Sequence, residues 1–396
     1  MDSPGQRGSP AQGPCEARGT ERSLNIPPFI VMDVLERAHE MERCGRHIVH
    51  LEIGEPDFPT PDCIREAAVK AIRDGCTHYT HSLGILELRE AICRHYLETY
   101  GARVEADRII VTSGTSPALF MLFSTLLEAG DEIILSDPHY PCYPNFARFL
   151  NACPVFVPGR EEEGFQLDPG EIRKKTGPRT RAILVNSPCN PTGNLLAPER
   201  MREIAEIGFP VVSDEIYHGL VYGEKEHSIL EFTDNAFVLN GFSKAYAMTG
   251  WRLGYLIAPR EFVRPLQKIQ QNFYISAASI SQWAGVAALQ QAAPDVKRMR
   301  AIYDERRKYM IGRLREIGFG LPVEPSGAFY ILVNAKHLSK DSYRLAFEIL
   351  EGAGVGVTPG VDFGQHAEGY LRFSYANSME NIREGLNRIE EYLKKR

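Results

Sequence analysis

The sequence predicts an α/β protein built around a mostly parallel sheet. Apolar runs rich in β-branched residues recur along the first two thirds of the chain, and stretches of helical periodicity separate them. The runs are continuous rather than alternating, so helices must cover both faces of the sheet. Ile109–Thr112, Glu132–Leu135, Pro154–Val157, Ala182–Asn186, Pro210–Ser213 and Phe237–Leu239 are the expected strands.

Ahead of them, Val31 to Arg43 has helical periodicity, and the apolar run Ile48 to Ile53 ends at Gly54-Glu55-Pro56-Asp57. Asp62 to Asp74 reads as an amphipathic helix with Asp62 as its cap. After the sixth strand a long helical region runs from about Ala278 to Ile317. The chain closes with strands near Gly327–Val333 and Tyr370–Tyr375 and helices near Ser342–Gly352 and Met379–Lys395. The glycines of Gly352-Ala353-Gly354-Val355-Gly356 follow a helix and open a strand, the reverse of a dinucleotide loop, and read as a helix C-cap and turn. No repeat or proline-rich linker interrupts the chain, so its two halves are expected to share a long helix. The division expected is a disordered tail over 1–24 and the N-terminal part of a small domain over 25–60. A large domain then spans 61–294, and 295–396 completes the small one.

Composition sets outer bounds. At 396 residues, with 43% hydrophobic and 24% charged, the chain can bury a core in each of two domains. A net charge of -6 argues against a nucleic-acid partner. No apolar run approaches the ~18 residues of a membrane span. Met1 to Thr20 is rich in Gly, Pro and Ser and lacks the apolar stretch of a secretory leader. Eight scattered cysteines without a Cys-x-x-Cys pair suggest free thiols in a reducing compartment, with cytoplasm the expectation and no metal site.

The most informative segment is Asn240 to Tyr255. It sets Lys244 in a small-residue turn between the apolar runs Ala236–Leu239 and Leu253–Ile257, with Arg252 following beside two glycines. Taken alone, Lys244 is a solvated loop charge as readily as a reactive amine. Upstream stand Ser113-Gly114-Thr115-Ser116, Asn190-Pro191-Thr192-Gly193 and Asp214-Glu215-Ile216-Tyr217. Together these motifs resemble the pyridoxal-phosphate (PLP) site of the class I/II aminotransferases, the aspartate aminotransferase-like group of fold type I. The resemblance runs from about Ile26 to the C-terminus, with the motifs in family order and spacing.

The resemblance implies a large domain carrying the sheet, a small α/β domain made from both chain ends, and a role for each motif. Lys244 would hold PLP as a Schiff base and shuttle a proton. Asp214 would keep the pyridine nitrogen protonated, so that the ring acts as an electron sink. Tyr217 and Asn190 would hydrogen-bond the 3'-oxygen. Gly114, Thr115 and Ser116 at a helix start, with Arg252, would cradle the phosphate. Ser243 would lie beside them; many relatives carry a serine where this chain has Gly241. Tyr140 would pack on the ring, and Tyr79 would reach the phosphate of a neighbouring subunit in a homodimer with shared sites. Arg372 would take the substrate's α-carboxylate, helped by the Gly54 N–H and Asn190.

The implied reaction is transfer of an amino group from an L-amino acid to a 2-oxo acid, ping-pong, through Schiff-base and quinonoid intermediates. The alternative is a β-lyase acting on cysteine conjugates with the same residues. An aminotransferase-like transcription regulator would need a winged helix, which the short segment before Ile26 cannot build. The dicarboxylate-specific branch has an arginine near the segment that here reads Gln270-Gln271-Asn272-Phe273-Tyr274. The expected pocket mouth, Pro27 to Val31 with Phe273 and Tyr274, is apolar, which disfavours an acidic substrate side chain.

Overall fold

The computed structural model describes residues 19–396. The expected tail therefore lies mostly outside the described residues. At the start of the described residues, Glu21–Leu24 forms one exposed helical turn capped by Thr20.

In chain order the strands are Val49–His50 (β1), Ile109–Thr112 (β2), Glu132–Asp137 (β3), Cys153–Pro158 (β4), Thr180–Asn186 (β5) and Val211–Asp214 (β6). They continue with Ala236–Gly241 (β7), Gly254–Ile257 (β8), Tyr330–Asn334 (β9), Val355–Gly356 (β10), Thr358–Pro359 (β11) and Tyr370–Ser374 (β12). One sheet has the order β2-β8-β7-β6-β5-β3-β4. Its strands pair in parallel from β7 through to β4, and β8 runs antiparallel to β2 and β7. All six expected strands are in it. The seventh, β8, comes from the apolar run that flanks the lysine motif.

Alternate side chains show why these strands read as continuous apolar runs. Ile109 and Val111 join one buried cluster with Leu88 and Ala284 of the helices Leu86–Tyr100 and Ser279–Gln291. Ile110 joins another with Leu119 and Leu266 of the helices Thr115–Leu126 and Arg260–Phe273. Both faces are therefore roofed by helices, and no strand side chain needs to be polar.

A second unit joins the chain ends. β1 pairs in parallel with β10, Val49 opposite Val355. Beside it, β11, β12 and β9 form an antiparallel sheet. Its core includes Phe329, Ile331, Leu371 and Phe373, covered by the helices Ala293–Ile317, Ser342–Ala353 and Met379–Lys395.

Three local details refine the sequence reading. The single helical region expected from 278 to 317 is two helices, Ser279–Gln291 and Ala293–Ile317, parted at Ala292. Pro294 lies in the first turn of the second helix, where its missing N–H costs nothing; within one continuous helix it would remove a bond. Asp62 does not cap its helix: Pro61 takes that position in an extended conformation, and Asp62 is the first helical residue. Its charge still complements the helix dipole there. Gly354, at φ +69°, ends the helix Ser342–Ala353 just before β10, as a C-cap glycine should.

Among the described residues no helix is long and apolar enough to cross a membrane. The large sheet presents the C-terminal ends of β5, β6 and β7 on one side, and there the chain places Asn186, Asp214 and the turn carrying Lys244. This is where open α/β sheets form ligand crevices.

Close packing holds that edge. A Cβ at Gly254 would lie 2.9 Å from the Gly114 carbonyl carbon and 3.0 Å from the Thr115 nitrogen. Gly254→Ala is therefore expected to cost about 1–3 kcal/mol, as overpacking of a tight core does. Urea unfolding checks this; an unchanged midpoint would contradict it.

Candidate active site

Between the large sheet and the β9–β12 unit lies a cavity of about 300 Å³. Lys244 reaches it from the turn after β7, and its Nζ donates to the Gly54 carbonyl at 2.7 Å. The amine also sits 5.9 Å from the Tyr217 ring centroid and 5.8 Å from that of Phe329. Burial lowers the Lys244 pKa to about 8, with Arg372 and Arg252 adding to the effect and Glu55 opposing it. Such an amine gives up its proton more readily than a surface lysine.

Asp214 ends β6 at 5% exposure. Its Oδ2 accepts from the Tyr143 hydroxyl at 2.7 Å and its Oδ1 from the Ile216 N–H at 3.1 Å. Burial pushes its pKa up to about 6, while those two donors hold it down. No lysine or arginine makes an ion pair with it among the described residues. Asn186, at the end of β5, donates from Nδ2 to the Asp214 carbonyl at 3.0 Å and accepts from the Asn190 N–H at 2.8 Å. One amide thus ties the β5 and β6 loops together.

Arg372 lies in β12 and is only 3% exposed. It donates to Asn190 Oδ1 at 2.9 Å, to the Glu52 carbonyl at 2.6 Å and to Thr358 Oγ1 at 3.1 Å. All three partners are neutral, and its buried Nε has none. The guanidinium lies 4.3 Å from the Tyr330 ring centroid and 4.9 Å from that of Phe363. A cation this enclosed, without an anion, is costly unless a ligand supplies one.

Opposite, Gly114 turns at φ +98° from β2 into the helix Thr115–Leu126, so Thr115 and Ser116 open that helix at the cavity. Arg252 reaches the same turn: a Cβ on Gly114 would lie 2.7 Å from its Nη2. Arg252 itself is left-handed at φ +50° and donates to the Thr249 carbonyl at 2.9 Å. Ser243 and Tyr140 also line the cavity. The Tyr140 ring stands edge-on to Tyr143 at 5.3 Å and to Phe29 at 6.1 Å.

A family model for class I and II aminotransferases matches residues 46–389. The chain belongs to the class I and II aminotransferases. It is 42% identical over 95% of its length to the whole of a (5-formylfuran-3-yl)methyl phosphate transaminase from Methanocaldococcus jannaschii. It is 40% identical to an aspartate aminotransferase from Pyrococcus horikoshii, covering 94% of this chain and 96% of that one. The solved aspartate aminotransferase of Thermus thermophilus with maleate aligns at a TM-score of 0.90 and 38% identity, over 95% of this chain and all of the other. The protein is thus a fold type I, PLP-dependent aminotransferase that moves an amino group between an amino acid and a 2-oxo acid. Nothing in the cavity favours the β-lyase alternative.

The aminotransferase cavity gathers most of the residues expected from sequence: Lys244, Ser243, Asp214, Tyr217, Asn190, Arg252, Arg372, Thr115, Ser116, Tyr140 and Gly54. Gly114 stands directly behind it. Tyr79 does not reach it in a single chain and is 82% exposed. Phe273 and Tyr274, expected at the mouth, do not line it either; Phe273 is 69% exposed. The helix Arg260–Phe273 instead turns Gln270 inward, where its Nε2 donates to the Val111 carbonyl at 3.1 Å. The mouth is formed by Phe29, Val31, Met32 and Leu35.

Tyr143, Tyr330, Asn186 and Thr358 escaped the sequence reading. Tyr143 follows Tyr140 by three residues, and Asn186 ends an expected strand; both positions offered a weak signal. Tyr330 touches Tyr217 hydroxyl to hydroxyl at 3.1 Å and packs against Gly54, where no side chain would fit. Only the fold brings those three together.

Because the folded chain raises the Asp214 pKa to about 6, folded Asp214 binds its proton more tightly than an unfolded aspartate. In the cofactor-free protein this group should lower stability as pH rises from about 4 to 6. Asp214→Asn should make that decline shallower, and Tyr143→Phe, which deletes a donor, should extend it to higher pH. Urea midpoints across that range are the check; burial also pushes Asp362 up to about 6, so part of the slope remains, and a slope as steep in Asp214→Asn as in the wild type would contradict the assignment.

Proposed function

We propose that Lys244, Asp214 and Arg372 carry the aminotransferase reaction and that the substrate has an apolar side chain. The observation behind this reading is that an amine, an unpaired carboxylate and an unpaired guanidinium face one small cavity. The donor set suits PLP. Asp214 lacks a cation, which a protonated ring nitrogen would supply, and the helix start at Thr115 with Arg252 suits a phosphate. Asn190 has committed its Oδ1 to Arg372, so its Nδ2 is left to donate, with Tyr217, to the cofactor's 3'-oxygen. Ser116, Ser243 and the Gly114–Thr115 backbone add phosphate donors, and Tyr140 covers the ring.

PLP bound there supplies an electron sink that stabilises negative charge at the substrate's α-carbon. Lys244 would hold the cofactor through its Nζ; once the substrate's amino group has taken its place there, the freed amine would take the α-proton and return it one carbon away. Asp214 keeps the ring nitrogen protonated throughout. Arg372 pairs with the α-carboxylate in fork geometry, its plane fixed by Tyr330 and Phe363, while Gly54 brings its backbone to the same group. Donor and acceptor alternate in this site, which gives ping-pong kinetics.

The substrate class follows from charge. Lys244, Arg252 and Arg372 each have a role toward the cofactor or the α-carboxylate, and the mouth formed by Phe29, Val31, Met32 and Leu35 offers no further cation. An apolar or aromatic side chain fits there better than a carboxylate.

We further assign 61–294 to a cofactor-binding domain and 25–60 with 295–396 to a smaller one. The working unit is a homodimer, in which Tyr79 of the partner subunit completes the phosphate site; its exposure in the single chain supports this. The described cysteines are free, which suits a cytoplasmic enzyme.

Two measurements test the reading. In a panel of amino donors with a fixed 2-oxo acid, leucine-like and phenylalanine-like donors should exceed aspartate in kcat/KM. Arg372→Lys should lower kcat/KM about 10–100-fold, the worth of a charge-assisted pair. A preference for aspartate would sink the substrate class, and an unaffected Arg372 variant would sink its role.

Tyr79→Ala and Lys244→Ala subunits are each expected to be weak or inactive. Mixed at limiting PLP, they should regain activity, because one site of the heterodimer is intact. No gain after demonstrated subunit exchange would refute the shared site.

A further inference from the structure

Outside the cavity, His39, Glu42 and His50 bring their ligand atoms within 4.8 Å of one another. His39 and Glu42 are three residues apart on the helix Ile30–Arg43, so they share a face. His50 comes from β1. Its Nε2 lies 3.3 Å from Glu42 Oε1, and its ring centroid lies 5.9 Å from that of His39. Tetrahedral zinc with bonds of about 2.0–2.2 Å sets its ligand atoms about 3.3–3.6 Å apart.

A second, independent feature points the same way. The other ring nitrogen of His50, Nδ1, lies 2.7 Å from Glu52 Oε1, and Glu52 is fully buried. A buried carboxylate behind a histidine fixes the ring and its tautomer and directs the far nitrogen outward, as it does behind metal-bound histidines. The plain alternative is a charged His50 bridging Glu42 and Glu52. It gives no role to His39, which makes no hydrogen bond among the described residues although its ring faces His50.

We propose that His39, Glu42 and His50 form a binding site for one zinc-like divalent cation, with water in the remaining position and Glu52 as the orienting carboxylate. The site would tie the helix Ile30–Arg43, whose first turns form the cavity mouth, to β1. Glu52 joins it to the aminotransferase site, because its backbone carbonyl accepts from Arg372 at 2.6 Å.

The test uses the full-length, PLP-loaded protein and zinc chloride titrated against a chromogenic chelator. His39 and Glu42 are exposed and lie outside the cavity, so His39→Ala and Glu42→Gln leave the fold and the basal activity intact. The expected result is one zinc per chain whose affinity falls about 10-fold or more in each variant. Cobalt in its place should give a four-coordinate visible spectrum that His39→Ala abolishes. Cys44 is exposed close by, so Cys44→Ser serves as the control and should bind as the wild type does. Wild-type zinc affinity in both His39→Ala and Glu42→Gln, or loss of binding in Cys44→Ser alone, would overturn the proposal.

Discussion

Charge withheld from water governs this molecule. Asp214, Lys244 and Arg372 are drawn into one cavity, and none of the three has a counter-ion of its own among the described residues. Keeping a carboxylate, an ammonium and a guanidinium there costs stability, and neutral dipoles offset only part of it. Tyr143 and Ile216 serve Asp214, the Gly54 carbonyl serves Lys244, and Asn190, Thr358 and the Glu52 carbonyl serve Arg372. Each arrangement leaves the charge solvated enough to persist and unpaired enough to bind. The pKa directions record the strain: Asp214 moves up to about 6 and Lys244 down to about 8.

The fold distributes that burden. Asp214 and Asn186 end parallel strands and Lys244 follows one, so three backbones converge on a crevice without bending. Arg372 comes from the other sheet, and its three partners belong to three separate segments of chain. Glycine makes the convergence possible at two points. Gly254 lets the turn at Gly114 approach β8, and Gly54 lets Tyr330 pack against the loop that receives Lys244. The arrangement of the three charges therefore depends on how the two units sit together, not on any one loop.

Much of this was legible in the sequence, for reasons that differ by element. The parallel strands showed because both of their faces are buried, which forces continuous apolar runs. β8 has the same character at Leu253–Ile257; it turns back antiparallel on β7 across the lysine turn, and its other partner, β2, is more than 140 residues away in the chain. Arg372 stood out because an arginine in an apolar strand demands a partner. Lys244 and Asp214 stood out through motifs. Tyr143 and Tyr330 did not, since a tyrosine among apolar residues looks like core until the fold shows what its hydroxyl touches. The mouth was half legible: Phe29 and Val31 line it as expected. Phe273 does not, because its helix faces Gln270 toward the sheet and leaves Phe273 outside.

Holding the cofactor is the role proposed for Lys244. Borohydride reduction of the PLP-loaded protein, followed by peptide mapping, tests it without depending on turnover. A phosphopyridoxyl group on the peptide containing Lys244, absent from Lys244→Ala, is the expected result. A group fixed to a different lysine, or none fixed at all in a protein that has taken up PLP, would contradict it.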